Sequence, residues 1–146
     1  MSQGNTNRQS KADDPRSLSI GEIMERHVVT CPPDTDAFTI AKMLSERRIG
    51  SMPVVGEDQA LVGLVSEYDL LDAILDGRDL RKVSAEEIMT REPLTVKPDQ
   101  TLEEVAKLFR DRYLTRVPVV RDRQVVGIVA RSDVLAAAAK ALVYWQ

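Results

Sequence analysis

The sequence predicts an α/β protein that contains two copies of one β-α-β-β-α unit. The chain repeats itself at an offset of 65 residues, so that GEIMERHVVT aligns with EEIMTREPLT, and such internal similarity marks a duplicated structural unit. Within each copy, short runs rich in Val and Ile alternate with stretches whose apolar residues recur at helical spacing. The 146 residues suit one compact domain holding both copies.

Each copy opens with a short turn of helix that ends at Met24 or Met89. A brief strand is predicted next, at residues 28–31 in the first copy and 94–96 in the second. An amphipathic helix follows in each copy. We expect Asp36 to cap the first of these helices, and Thr101 with Glu104 to form a capping box at the second.

A hairpin and a closing helix complete each copy. The hairpins read MPVV-GEDQ-ALVGLV and VPVV-RDRQ-VVGIVA, and the closing helices are predicted from Asp69 and from Asp133. Gly63 and Gly127 are 64 residues apart, which places a one-residue deletion in the polar turn. The predicted organisation is a disordered leader (1–17), the first repeat (18–75), a linker (76–82), and the second repeat with the C-terminal helix (83–146). Since about 60 residues are marginal alone, we expect the copies to share a core.

Composition narrows the functional classes. The formal net charge of −3 gives no reason to expect a nucleic-acid partner. The single cysteine, Cys31, cannot form an internal disulfide, and no run approaches the roughly 20 apolar residues that span a bilayer. We therefore expect a cytoplasmic protein without a membrane anchor.

The junction between the last strand and the closing helix is written twice, as GLVSEYDLL and GIVARSDVL. Ser66 and Asp69 are spaced to cap a helix. The same position also suits a nucleotide, because a helix start attracts anions and a carboxylate can accept the hydroxyls of a ribose. The second copy keeps Asp133 but has Ala130 in place of the serine. The residues alone leave both interpretations open.

The duplicated EIM…T…P…A…R…PVV…G-hydrophobic-V-S-x-x-D pattern resembles the CBS domain, named after cystathionine β-synthase, over about residues 20–142. The two copies together resemble a Bateman module. This resemblance implies a pseudo-twofold CBS domain pair whose cleft holds up to two adenine nucleotides. It implies AMP, ADP or ATP as the ligand, with S-adenosylmethionine as the alternative, and no required cofactor.

The resemblance also implies the site residues. By the family pattern, the ribose and phosphate contacts come from Ser66, Asp69 and Asp133. A basic group reaches phosphate from Arg116, where the first copy has Ser51. The residues expected around the base are Val28, Val29, Pro93 and Leu94, and the predicted site also includes the strand residues Met52, Pro53, Val117 and Pro118.

The second junction departs from the pattern. Ala130 removes a hydroxyl, Ser132 can replace it only with a different geometry, and Arg131 can compensate with charge. Losing one hydrogen bond to a charged phosphate costs about 1.5–3 kcal/mol. We therefore expect the half-site at Ser66 and Asp69 to bind more tightly.

The predicted function is a stand-alone regulatory module that binds an adenine nucleotide and signals to an unidentified effector protein. An enzyme is not expected, because His27 and Cys31 are the only residues of their types and no nucleophile motif is present. A dimerisation scaffold without a ligand is the main alternative, and nucleic-acid binding by the arginines of the second copy is a further one. We expect a homodimer, with Tyr144 and Trp145 packed at an interface.

Overall fold

The fold is that of a computed structural model, which describes residues 14–145 and the side chains of residues 14–142. Most of the predicted leader and the side chains of Tyr144 and Trp145 therefore lie outside the described residues. Pro15–Ser17 form a 3-10 turn that Asp14 caps. None of the described helices is long and apolar enough to cross a membrane.

The element order confirms the predicted duplication. The first copy contains α1 (Ile20–Ile23), α2 (Ala37–Arg47), β1 (Ser51–Val55), β2 (Leu61–Ser66) and α3 (Glu67–Leu75). The second copy contains α4 (Ala85–Ile88), β3 (Thr90–Arg91), α5 (Leu102–Arg112), β4 (Arg116–Arg121), β5 (Gln124–Ala130) and α6 (Arg131–Trp145). Both closing helices begin two residues before the predicted aspartates.

The two hairpins have the same register. β1 pairs antiparallel with β2 and places Ser51 opposite Ser66. β4 pairs antiparallel with β5 and places Arg116 opposite Ala130. The first residue of each hairpin therefore lies beside the strand-to-helix junction of the same copy.

The predicted opening strands at 28–31 and 94–96 are wrong, because only isolated parallel bridges form there, between Cys31 and Val54 and between Val96 and Val119. Cys31 N donates to the Pro53 carbonyl, and its own carbonyl accepts from Val55 N. To extend this ladder, the backbone N–H groups of residues 33 and 53 would have to donate. Both residues are prolines, Pro33 and Pro53, which have no backbone N–H. Pro98 and Pro118 stop the second copy in the same way.

The copies form two cores and exchange their opening segments, whereas the sequence had predicted one shared core. One core is built on β1, β2 and α2, and it takes in Val83, Ala85 and Met89 from the second copy. The other is built on β4, β5 and α5, and it takes in Ile20 and Met24 from the first copy. Each half of the fold is therefore completed by the opening segment of the other half.

The exchange explains why both copies carry a glycine in the closing strand and a methionine after the opening helix. A Cβ added to Gly63 would lie 2.7 Å from Met89 Cγ, and one added to Gly127 would lie 2.9 Å from Met24 Cγ. Such distances are too short for a real contact, so only glycine lets the methionine of the other copy rest on the strand.

The exchange also fixes where the following loops run. Thr90 and Arg91 pair with β2, and Glu25 bridges to Ile128 of β5. Each opening loop therefore lies beside the closing strand of the other copy. This crossed arrangement decides which predicted site residues meet.

The helix caps agree with the sequence in part. Asp36 Oδ1 accepts a hydrogen bond from Thr39 N at 2.8 Å, which confirms the first cap. Thr101 Oγ1 accepts from Glu104 N at 3.2 Å. The predicted return bond of a capping box is replaced, because the Glu104 carboxylate accepts from Gln100 Nε2 instead.

Candidate functional site

Both strand-to-helix junctions are capped by their aspartates. Asp69 Oδ2 accepts from Ser66 N at 2.8 Å, and Ser66 Oγ accepts from Asp69 N at 3.2 Å, which completes a capping box. Asp133 Oδ2 accepts from Ala130 N at 2.8 Å. The helix-cap interpretation therefore holds for both aspartates. Each carboxylate uses Oδ2 for its cap, so Oδ1 can accept from a ligand.

The missing hydroxyl at the second junction has a consequence for anion binding. In α3, the amide of Asp69 donates to the Ser66 hydroxyl. Ala130 has no side-chain acceptor, so the equivalent amide of Asp133 lacks this partner. A free amide in the first turn of a helix is a favourable donor to an anion.

A cleft of 390 Å³ lies between the two copies near this second junction. The opening loop of the first copy supplies His27, Val28 and Val29 to its wall. Ser51, from the start of β1, and Arg116, from the start of β4, complete the part of the wall predicted from sequence. The crossed loops thus bring together residues that are far apart in the chain.

A second cleft, of 520 Å³, adjoins the first through Arg116. It is lined by Arg131 and Ser132 at the start of α6, together with Thr115 and Leu135. Because Arg116 contributes to both clefts, its side chain stands between the apolar loop residues and the N-terminus of α6.

Arg116 carries a buried and unpaired donor. Its Nε atom is buried and has no hydrogen-bond partner among the described residues. No carboxylate of the described chain forms a salt bridge with it. An unsatisfied donor on a charged group costs more than about 1–3 kcal/mol, so an acceptor that enters the cleft would relieve a cost already present in the folded protein.

The charges around Arg116 are mainly positive. Arg47 lines the first cleft and Arg131 lines the second. Glu25 also lines the first cleft, where its carboxylate accepts from the backbone N of His27 at 2.9 Å. Three arginines against two carboxylates, those of Glu25 and Asp133, both of which already accept a backbone hydrogen bond, favour an anionic ligand.

The remaining predicted residues fall elsewhere. Pro93 lines a separate cleft of 470 Å³ with Glu92 and Val62, and Leu94 is 38% exposed. Because β3 runs antiparallel to β2, the chain after Arg91 runs toward the start of β2 at Leu61 and Val62, away from Ser66. The strand residues predicted in the site have fully buried side chains that face away from solvent: Met52, Pro53, Val117 and Pro118. They shape the strands and cannot touch a ligand through their side chains.

Sequence reasoning missed several cleft residues, among them His27, Arg47, Thr115 and Leu135. Thr115 could have been found because it precedes Arg116. Arg116 begins β4, and β4 pairs with β5, which ends at the second junction. The other three carried no usable signal, because a histidine, a helix-end arginine and an exposed leucine are ordinary surface residues.

Comparisons with known proteins show which proteins the chain is similar to. A model of the CBS domain family matches residues 20–76 and 85–140. An uncharacterised protein of Methanopyrus kandleri is 35% identical over 122 residues, which is 82% of this chain and 62% of that protein. The chain thus spans less than two thirds of this relative.

Two solved structures are similar over most of the chain. CBSX2 of Arabidopsis thaliana, in complex with AMP, is 29% identical with a TM-score of 0.76, covering 84% of this chain and 97% of CBSX2. The domain pair of protein MJ0100, in complex with 5′-methylthioadenosine and S-adenosyl-L-methionine, is 30% identical with a TM-score of 0.73, covering 84% of this chain and 97% of that one.

Proposed function

The chain belongs to the CBS domain family, and from that premise we propose that it is a regulatory module which binds an adenosine phosphate in the cleft beside Arg116. The observation that carries the proposal is Arg116, which lines both adjoining clefts and whose Nε is buried without a partner. An anionic ligand that reaches this guanidinium supplies the charged partner that no described carboxylate supplies.

The surrounding residues suit the parts of such a ligand. Val28 and Val29 offer an apolar wall to an adenine ring. Asp133 Oδ1 is free to accept from ribose hydroxyls. Arg116, Arg131 and the amide of Asp133 surround the position at which a phosphate group would lie.

The charge of the cleft favours phosphates over a sulfonium. AMP is bound by CBSX2, and S-adenosyl-L-methionine by MJ0100. S-adenosylmethionine carries a positive sulfonium that three nearby arginines would repel. We therefore assign AMP, ADP or ATP to this chain.

This placement reverses the ranking inferred from the sequence, which favoured Ser66 and Asp69. The backbone amide of Asp69 already donates to the Ser66 hydroxyl. Ala130 has no hydroxyl, so the backbone amide of Asp133 can donate to a ligand. The arginine also stands on the Ala130 hairpin. The half-site at Asp69 remains a second, weaker candidate.

Arg116→Ala tests the proposal. Loss of a charge-assisted contact should weaken AMP binding by about 10- to 100-fold in calorimetry, while binding of adenosine, which lacks phosphate, should change little. Arg112→Ala, which removes an exposed arginine at the end of α5, is the matched control. Unchanged AMP affinity in Arg116→Ala would reject this role for the arginine.

The ligand-free protein provides a second measurement. Because Arg116 Nε is buried and unpaired, replacing it with Met should leave the melting temperature unchanged or raise it. A scaffold without a ligand remains the competing function. No stabilisation by AMP, ADP, ATP or S-adenosylmethionine in wild type, together with a stable dimer, would favour the scaffold.

We also propose that the module is a homodimer and passes its ligand state to an effector protein. The support is the exposed apolar face formed by the closing helices: Tyr68, Leu71, Ile74 and Leu75 on α3, and Leu135 and Leu142 on α6. Exposed apolar residues grouped on a helix in this way mark an interaction surface.

A further inference from the structure

The exposed faces of α3 and α6 differ in side-chain size at equivalent positions. Leu71 and Leu135 are equivalent in the duplication and are both exposed, at 50% and 70%. Around them, α3 carries large side chains where α6 carries small ones: Tyr68 against Ser132, Ile74 against Ala138, and Leu75 against Ala139. The two faces therefore differ in shape, although they occupy equivalent positions in the two copies.

The same helices also differ in charge. The exposed charged residues of α3 and its C-cap are all acidic: Glu67, Asp72 and Asp76. Over residues 131–142, the exposed charged residues of α6 are both basic: Arg131 and Lys140. Two of the equivalent pairs, Glu67 with Arg131 and Asp76 with Lys140, have opposite charges.

From this we infer that, in the proposed homodimer, α3 of one protomer packs against α6 of its partner. The large residues of α3 then meet the alanines of α6, and acids meet bases. In the alternative dimer, α3 would meet α3 and α6 would meet α6, so that acids face acids and bulky side chains face bulky ones. Like charges that face each other across an interface oppose association.

The crossed arrangement buries both faces with one twofold axis, since each protomer supplies one α3 and one α6. A second copy is the occupant that complements both faces at once, because it presents a basic, small-residue face to α3 and an acidic, large-residue face to α6. The inference rests on the proposed homodimer, and because Arg131 and Leu135 also line the second cleft, it is tested without nucleotide.

Charge reversal tests the arrangement without nucleotide. Glu67→Lys/Asp76→Lys and Arg131→Glu/Lys140→Glu should each raise the dimer dissociation constant about tenfold in sedimentation equilibrium, since attractive pairs become repulsive. The quadruple variant should return to within about threefold of wild type. Asp34→Lys/Glu57→Lys, which changes two exposed acids elsewhere, controls for net charge and should have no effect.

Three other results of these experiments would overturn the proposed packing of α3 against α6. Reversal variants that associate as wild type does would overturn the crossed arrangement and support the pairing of like helices. A monomeric wild type would overturn both this inference and the proposed homodimer, and would leave nucleotide binding to be judged by its own titration. Association of the wild type only with another protein would place a different partner on these faces and also overturn the inference.

Cross-linking supplies a measurement that does not depend on charge. The native thiol, Cys31, is 3% exposed, so cysteines introduced at Leu71 and Leu135 react selectively. A mixture of Leu71→Cys with Leu135→Cys should give a disulfide-linked heterodimer on mild oxidation, and each variant alone should give little. Efficient cross-linking of Leu71→Cys with itself would refute the inference.

Discussion

Gly127→Ala should displace the opening loop of the first copy from β5. The added Cβ would lie 2.9 Å from Met24 Cγ and 3.1 Å from the carbonyl oxygen of Glu25. The methionine can turn aside, but the Glu25 carbonyl is held, because it accepts from Ile128 N at 2.9 Å. The strand and the loop must therefore separate.

The size of the effect follows from the nature of this contact. Inserting a methyl group into a packed site costs about 1–3 kcal/mol of the free energy of unfolding, or roughly 2–4 °C of melting temperature per kcal/mol for a chain of this size. The same displacement moves Val28 and Val29 in the candidate cleft. Affinity for AMP should fall as well, even though Gly127 itself touches no ligand.

A double-mutant cycle with Met24→Ala measures the clash directly. If the methionine is the obstacle, Gly127→Ala should cost much less in the Met24→Ala background than in wild type. Gly56→Ala is the control, because its Cβ would meet Val62 at an ordinary 3.5 Å. Additive effects in the cycle would assign the cost to the Glu25 carbonyl, whereas a wild-type melting temperature for Gly127→Ala would refute the packing explanation.

Three further predictions concern the helix ends. Tyr113 is 91% exposed with φ of 54°, so Tyr113→Gly should relieve left-handed strain and raise the free energy of unfolding by up to about 1 kcal/mol in urea titrations; a loss would contradict this. Ala130→Ser should complete the cap at Asp133 and stabilise by about 1 kcal/mol, but weaken AMP binding by occupying the amide; tighter binding would instead support the ranking from sequence. Hydrogen bonds from the backbone and side chain of Thr39 lower the pKa of Asp36 below 3.8, so Asp36→Ala should lower the melting temperature at pH 7. That difference should shrink as the pH falls below 3.8, because the cap is lost when the carboxylate is protonated; a difference that does not depend on pH would exclude the ionised cap.

The duplication made most of the fold predictable. Hydrophobic periodicity located the long helices, and the repeat doubled the weight of each signal. The prediction of the opening strands was wrong because strand pairing there depends on which backbone N–H groups can donate. Pro33 and Pro53 lie on different segments, so their joint effect at Cys31 appears only once the two segments are side by side.

The site was less predictable than the fold for a related reason. The sequence named Arg116, the two junctions and the opening loops as site candidates, but it did not say which loop lies beside which junction. The exchange of opening segments places Val28 and Val29 beside the second hairpin. No local pattern encodes this exchange, since it depends on the fit of Met24 over Gly127.

The two junctions can now be understood in terms of which features the fold requires. The glycines are needed because a methionine of the other copy rests on each, and the aspartates are needed because each caps a closing helix. These requirements hold whether or not a ligand binds, so they explain why both copies keep them. The hydroxyl is different, because the cap at Ala130 forms without it. This position could therefore change without loss of the fold, and the change left an amide beside Arg116 that an anion can use.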